Sequence, residues 1–313
     1  MSDTNGMKAG SNLEKVFRAG HFAVTCECGP PKGADVEHLK KKVNIIKGYV
    51  DAANVTDNQT AVVRMSSIGA SAILVQNGIE PIMQMVTRDR NRIAAQSDVF
   101  GAYALGIRNM LCLSGDHQKF GNHPFAKNVF DIDSIQLLDM MRVLRDEGKM
   151  NCGEEVEGGI KMFFGAAANP FADPYEFRVI RMAKKIMAGA DFIQTQCIYD
   201  MKRFKEFMKM ACDMGLDKKC FIMAGLTPLK SAGMANYMNK RVSGITIPDE
   251  IIQRIKGVPK DQQAEEGIKL LIEQIEEVKE IPGIAGVHVM AIEWEEKIPE
   301  IMERAKLLPR PQV

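Results

Sequence analysis

Eight times along this chain, a short run of apolar and β-branched residues ends in a turn cluster and gives way to a longer stretch with apolar residues at helical spacing. The expected strands are Phe22–Cys26, Tyr49–Thr56, Pro81–Thr87, Asn109–Leu113, Lys161–Ala168, Asp191–Gln196, Lys219–Gly225 and Ile284–Ala291. Strands separated by helices return to the sheet through crossovers, so they pair in parallel. An open doubly wound sheet and a closed barrel both satisfy that pattern. No G-x-G-x-x-G follows the first strand, and no shift in composition divides the 313 residues. The expectation is therefore an α/β fold, a single (β/α)8 TIM barrel forming one catalytic domain over residues 12–313. Residues 1–11 are polar, small and without period, which predicts a flexible N-terminal arm.

Local signals mark the helices. Asp35, Ser66, Asp89 and Asp133 stand where N-caps are needed, and Pro174 suits a first helical turn. Gly48, Asn77-Gly78 and Gly189 provide stops. The loop from Ser114 to about Phe130, with His117 and His123, is long for a compact domain, and loops of that length tend to be functional.

Composition narrows the chemistry. Lys+Arg total 41 against 40 Asp+Glu, so no overall field draws the chain to nucleic acid or a membrane surface, and a small ligand is the default partner. No leader pattern and no run of about 18 apolar residues is present, which predicts a cytoplasmic protein without membrane insertion. The seven cysteines are scattered; Cys26-x-Cys28 has no second half, and the five histidines form no H-x-x-x-H or H-x-H, so no metal site is expected. Aromatics are 6% with one tryptophan, which argues against a sugar site built on two carboxylates.

Active sites in such barrels lie at the C-terminal ends of the strands. That end gathers Glu27, Thr56, Gln84, Asp116, Asn169, Asp173 and Gln196. Any one of these alone reads as a turn former, and Glu27 beside Pro30-Pro31 reads as a solvated turn carboxylate. Two carboxylates, Glu27 and Asp116, on different strands of one rim point instead to acid/base or electrostatic work on a small ligand.

The order of these strand-end motifs resembles the methylenetetrahydrofolate reductase family, most closely the short form of acetogenic and related bacteria. The matching pieces are Cys26-Glu27-Cys28-Gly29-Pro30-Pro31-Lys32, Val55-Thr56, Met83-Gln84-Met85 with Arg88-Asp89-Arg90-Asn91-Arg92, and Leu113-Ser114-Gly115-Asp116. Ala167-Ala168-Asn169-Pro170, Lys185 to Asp191, Thr195-Gln196 and Gly225-Leu226-Thr227-Pro228 complete the series.

The resemblance implies a flavin, FAD or alternatively FMN, across the barrel mouth, and a reduced folate on its face. It implies hydride transfer from N5 of reduced flavin to 5,10-methylenetetrahydrofolate, giving 5-methyltetrahydrofolate. Glu27 then corresponds to the general acid on N10, which requires burial to raise its pKa. Asp116 corresponds to the aspartate near flavin and pterin, and Gln196 to the glutamine that contacts folate. Thr56, Gln84, Ser114, Asn169, Asp173 and Lys185 fall at flavin-binding positions.

Relatives often carry His at the place of Gln84, Arg at that of Ser114 and Tyr at that of Asn169. Leu229-Lys230-Ser231-Ala232-Gly233 lacks the aromatic that nicotinamide-using relatives have after strand seven. A nicotinamide nucleotide and an electron-donating partner subunit both stay open as donors, as do homo- and hetero-oligomers. The competing readings are a flavin-free folate-binding module that passes a methyl group to a corrinoid or thiol partner, and an electron-transfer subunit of a larger complex.

Overall fold

The structure is a computed structural model and describes residues 6–242 and 244–313. Eight parallel strands close in chain order: β1 (Ala23–Glu27), β2 (Ala52–Val55), β3 (Pro81–Val86), β4 (Asn109–Leu113), β5 (Phe163–Ala168), β6 (Phe192–Cys197), β7 (Phe221–Leu226) and β8 (Ile284–Val289). The last pairs back on the first, with Cys26 opposite Val289, so the single (β/α)8 barrel is as expected. Helix α1 (Asn12–Arg18) precedes β1. The outer ring continues with α2 (Val36–Ile46), α3 (Ser67–Gln76), α4 (Arg92–Ala104), α5 (Ser134–Asp146), α6 (Phe177–Met187) and α7 (Met201–Asp213). Three helices follow β7, α8 (Ala232–Arg241), α9 (Asp249–Lys256) and α10 (Gln263–Lys279), and α11 (Ile298–Arg304) follows β8. Among the described residues no helix is long and apolar enough to cross a membrane.

Strand alternation sorts the barrel's two faces. On β1, Val24 and Cys26 join the outer core with α2, while Ala23 packs inside with Ile82, Leu111, Phe163, Phe192 and Met223. Helix α1 closes this apolar floor from below with Leu13, Val16 and Phe17, whose ring stacks on Phe221 at 4.6 Å. Gly165 makes room for the floor: a Cβ there would lie 2.3 Å from the ring of Phe192. Two residues further along the strands, the inward positions become polar with Thr25, Asn54, Gln84, Gln194 and His288, and two further still they reach the mouth with Glu27 and Gln196.

Some expectations shift. Residues 1–5 of the expected arm lie outside the described residues, and residues 8–11 are held against the barrel floor. The Lys8 ammonium pairs with Asp191, the Ala9 and Gly10 amides donate to Glu14, and Ser11 caps α1. Asp35, Ser66 and Asp133 cap their helices, Asp133 in a reciprocal box with Gln136. Helix α4 is capped by Asn91 instead of Asp89, because both oxygens of Asp89 are taken by the Arg88 guanidinium. Pro174 precedes α6 rather than opening it, since the Phe177 and Arg178 amides close tight i→i+3 turns on Pro174 and Tyr175 before the helix begins. The last helical stretch starts with a 3-10 turn at Glu295–Lys297 ahead of α11.

Candidate active site

A cavity of about 430 Å3 opens at the C-terminal end of the barrel, within the ~300–1,000 Å3 span of small-molecule and cofactor sites. Glu27 stands in its wall at the end of β1, where the Gly29-Pro30-Pro31 turn stops the strand. The side chain is 7% exposed, with one oxygen accepting from the Gln59 amide at 3.0 Å. Burial, and then the negative charge of Glu295, push its pKa from 4.5 up to about 7, against the opposing pull of Arg64, the Gln59 hydrogen bond and Lys42. Near neutral pH this carboxyl group can hold a proton and give it up, which a solvated turn carboxylate cannot.

The turn after β2 joins the two rim carboxylates. Gln59 binds Glu27, and the next amide, Thr60 N–H, donates to Asp116 at 3.2 Å. Asn58, Thr60 and Ala61 all have positive φ in this turn, 43°, 55° and 57°. Asparagine tolerates that region, but a β-branched threonine does so only where surrounding contacts hold it. Arg88 supplies part of that hold: its guanidinium, buried beneath the loops, donates to the carbonyls of Asp116 and Asn58 at 2.9 and 3.4 Å.

Beneath Glu27 lies a polar layer inside the barrel. His288 Nδ1 meets Thr25 Oγ1 at 2.9 Å; the Gln194 amide donates to Thr25 and to Asn54, and Asn54 donates back to Gln194 at 2.7 Å. Burial lowers the pKa of His288 to about 3, so the ring is neutral. Asn54, Gln194 and His288 all line the cavity.

The opposite wall is cationic. Arg178, Arg181 and Lys185 project from one face of α6, at the i, i+3 and i+7 spacing that aligns side chains along a helix. None of the three is in an ion pair with a described carboxylate. The Lys185 ammonium donates to the Ala167 carbonyl at 2.5 Å. Its pKa falls to about 8 through burial and the neighbouring Arg181 charge. Three cations lining one wall of a cavity, none held in an ion pair, make a favourable seat for an anionic group.

Of the residues expected at the mouth, Glu27, Gln84, Ser114, Asp116, Asn169, Lys185 and Gln196 line this cavity together. Thr56 lies beneath the wall, its hydroxyl buried and without a partner among the described residues. Asp173 is exposed outside the cavity, its carbonyl bonded by Arg178. The sequence pattern does not single out Asn54, Gln194 and His288, which look like ordinary strand residues, nor Gln59, Arg178 and Arg181, and it gives Arg88 no role beyond its place in a matching motif. The signal for the first three was parity, since Thr25, Asn54, Gln194 and His288 all sit on the inward register of their strands. Among the described residues no group of three or more His, Cys, Asp or Glu is placed to hold a metal ion.

A family model described as methylenetetrahydrofolate reductase matches residues 12–306. A Caenorhabditis elegans protein described as a probable methylenetetrahydrofolate reductase (NADPH) is 25% identical over 252 residues, covering 79% of this chain and 35% of that protein. Methylenetetrahydrofolate reductase 2 of Saccharomyces cerevisiae is 26% identical over 249 residues, covering 74% of this chain and 37% of its own. The chain thus spans about a third of the length of these relatives. Among solved structures, a Clostridium thermocellum protein that binds two copies of 5-methyl-5,6,7,8-tetrahydrofolic acid shares the fold, with a TM-score of 0.62, 15% identity, and 96% of this chain and 99% of that one covered.

Proposed function

Because this chain belongs to the methylenetetrahydrofolate reductase family, we propose that it reduces 5,10-methylenetetrahydrofolate to 5-methyltetrahydrofolate at a bound flavin, with Glu27 as the general acid. The observation that carries this reading is Glu27 itself, a carboxyl group buried at a strand end, open to the cavity, and with a pKa of about 7. Cleaving the bond from the one-carbon unit to N10 leaves an iminium cation at N5 and requires a proton on N10. A carboxyl group titrating near neutrality can deliver it and be reloaded from water.

The residues present fit a flavin. Arg178, Arg181 and Lys185 have charge to spare for its phosphate groups, FAD or FMN, and Gln84 and Asn169 offer amides to the polar edge of the ring. Flavin, when bound, supplies the hydride. The chain's own residues do the rest. Gln59 orients the Glu27 carboxyl. Asp116, its backbone held by Arg88, puts a negative charge where the iminium cation develops. Gln196 offers an amide to the pterin. The neutral His288 and the Gln194–Asn54 pair supply a rigid hydrogen-bonding floor without adding a charge that would oppose the cation. Electrons arrive from a nicotinamide nucleotide or from a partner subunit.

The test is to purify the chain anaerobically, release the cofactor by heat, identify it, and titrate the intact protein with 5-methyltetrahydrofolate. The expected result is a yellow protein whose visible absorbance bleaches as electrons run backwards into the flavin. A colourless protein that neither FAD nor FMN reconstitutes would overturn the proposal in favour of a flavin-free methyl-transfer module. A flavin whose spectrum ignores every folate would leave an electron-transfer subunit.

A further inference from the structure

We infer that His288 presents an N–H at Nε2 to the cavity and donates it to an acceptor atom of the pterin, which makes His288 a substrate-binding residue. This contact presupposes the reduced folate of the proposed function. The polar layer inside the barrel has a direction, and the direction fixes which ring nitrogen carries the proton. The amide nitrogen of Gln194 spends its two hydrogens on Asn54 Oδ1 at 3.1 Å and Thr25 Oγ1 at 3.2 Å, while Gln194 Oε1 accepts from Asn54 at 2.7 Å. Thr25 is thus an acceptor towards Gln194. Its own hydroxyl proton goes to its one other side-chain partner, His288 Nδ1, at 2.9 Å. A neutral imidazole has a single N–H, so with Nδ1 accepting, the proton sits on Nε2.

Turning both amides over would reverse every bond in the layer and leave Nε2 bare. It would also set an amide oxygen 3.9 Å from the Met223 thioether, where the Gln194 N–H now meets a weak acceptor. The observed order is the one that sulfur favours. Nε2 has no protein partner and is not among the sealed polar atoms, so it opens on the cavity that His288 lines. None of the carboxylates lining that cavity hydrogen-bonds the ring: Asp57 is taken by the Val86 amide and Arg90, Asp116 by the Thr60 amide, and Glu27 by Gln59. The donor is left for a ligand.

The strands carrying the layer say which ligand. Thr25 and His288 are in register across β1 and β8. Two residues further along the same strands stand Glu27, Met290 and, above Gln194, Gln196, all lining the cavity. These are the residues of the folate side, whereas Gln84, Asn169 and the α6 cations belong to the flavin side. A buried donor that the right ring satisfies and a wrong one leaves unpaired also discriminates between ligands.

The experiment is nitrogen NMR of the full chain with its five histidines isotope-labelled. His288 is assigned by difference against His288→Phe, or against His288→Gln if the first does not fold. The expected spectrum shows Nε2 protonated and Nδ1 bare, and an Nε2–H signal that moves when 5-methyltetrahydrofolate is added. His288→Phe should bind that folate about tenfold more weakly and keep its flavin. A proton on Nδ1 overturns the inference, as does an Nε2–H signal unmoved by saturating folate or a His288→Phe protein that binds folate as wild type does. Parallel loss of flavin and folate overturns the assignment to the pterin. An Nε2–H signal that responds to folate in a protein without flavin chemistry would refute the proposed reduction and leave this contact standing.

Discussion

Replacing Glu27 by glutamine should make the protein more stable, and only at neutral to alkaline pH. A carboxyl group whose pKa rises from 4.5 in the unfolded chain to about 7 in the folded protein binds more protons when folded throughout that window. Stability therefore falls as pH climbs from about 4.5 to 7, opposite to the usual salt-bridged carboxylate. Above the window the full penalty is about 3 kcal/mol, and at pH 5 it is under about 1 kcal/mol. Glutamine keeps the shape and the acceptor oxygen for Gln59, and carries no charge to desolvate. At about 2 °C per kcal/mol for a protein of this size, its thermal midpoint should exceed wild type by about 6 °C at pH 8.5 and by under about 2 °C at pH 5. Differential calorimetry of both proteins at the two pH values measures this, with contributions from the other titrating groups cancelling in the difference. If the two midpoints instead move in parallel between pH 5 and pH 8.5, Glu27 is not a buried, proton-holding carboxyl group, and the argument for it as an acid fails.

Two further outcomes are expected. Lys185→Met should weaken flavin retention by about tenfold or more, read as flavin fluorescence released on dilution, because it removes a cavity-lining cation whose ammonium is bonded to a backbone carbonyl and not to a carboxylate; unchanged retention would place the phosphate groups elsewhere. Gly165→Ala should cost about 1–3 kcal/mol by driving a methyl group into the Phe192 ring on the barrel floor, and a thermal midpoint unchanged from wild type would show that the ring can step aside.

The barrel was legible in the sequence because its two periods are strong: β-branched apolar runs for the strands and 3.6-residue spacing for the helices. Strand ends are legible for the same reason, and they mark Glu27, Asp116 and Gln196 without reference to their neighbours, whereas Gln84 lies in the middle of β3. What stayed hidden depends on contacts across the barrel. His288 and Gln194 lie in mid-strand, where local pattern cannot tell a buried polar layer from a packed core. Arg178 and Arg181 look like any solvated helix face until β5 and α6 are seen to bound the cavity. Thr56 and Asp173 carried the right residue types at rim positions, but their side chains end up outside the cavity wall, and Asp89 lost its cap to the arginine beside it. Glu295 is far from Glu27 along the chain and reaches it only because the barrel closes β8 onto β1.

That closure also gives the mouth an electrical direction. In a ring of eight strands, β1 and β5 stand at opposite ends of a diameter, so the cations of α6 stand across the opening from Glu27. A molecule with an anionic tail at one end and basic nitrogens at the other would be turned by this field before it touches the wall, and would arrive one way round. Added salt would then slow its capture more than it alters the chemistry that follows.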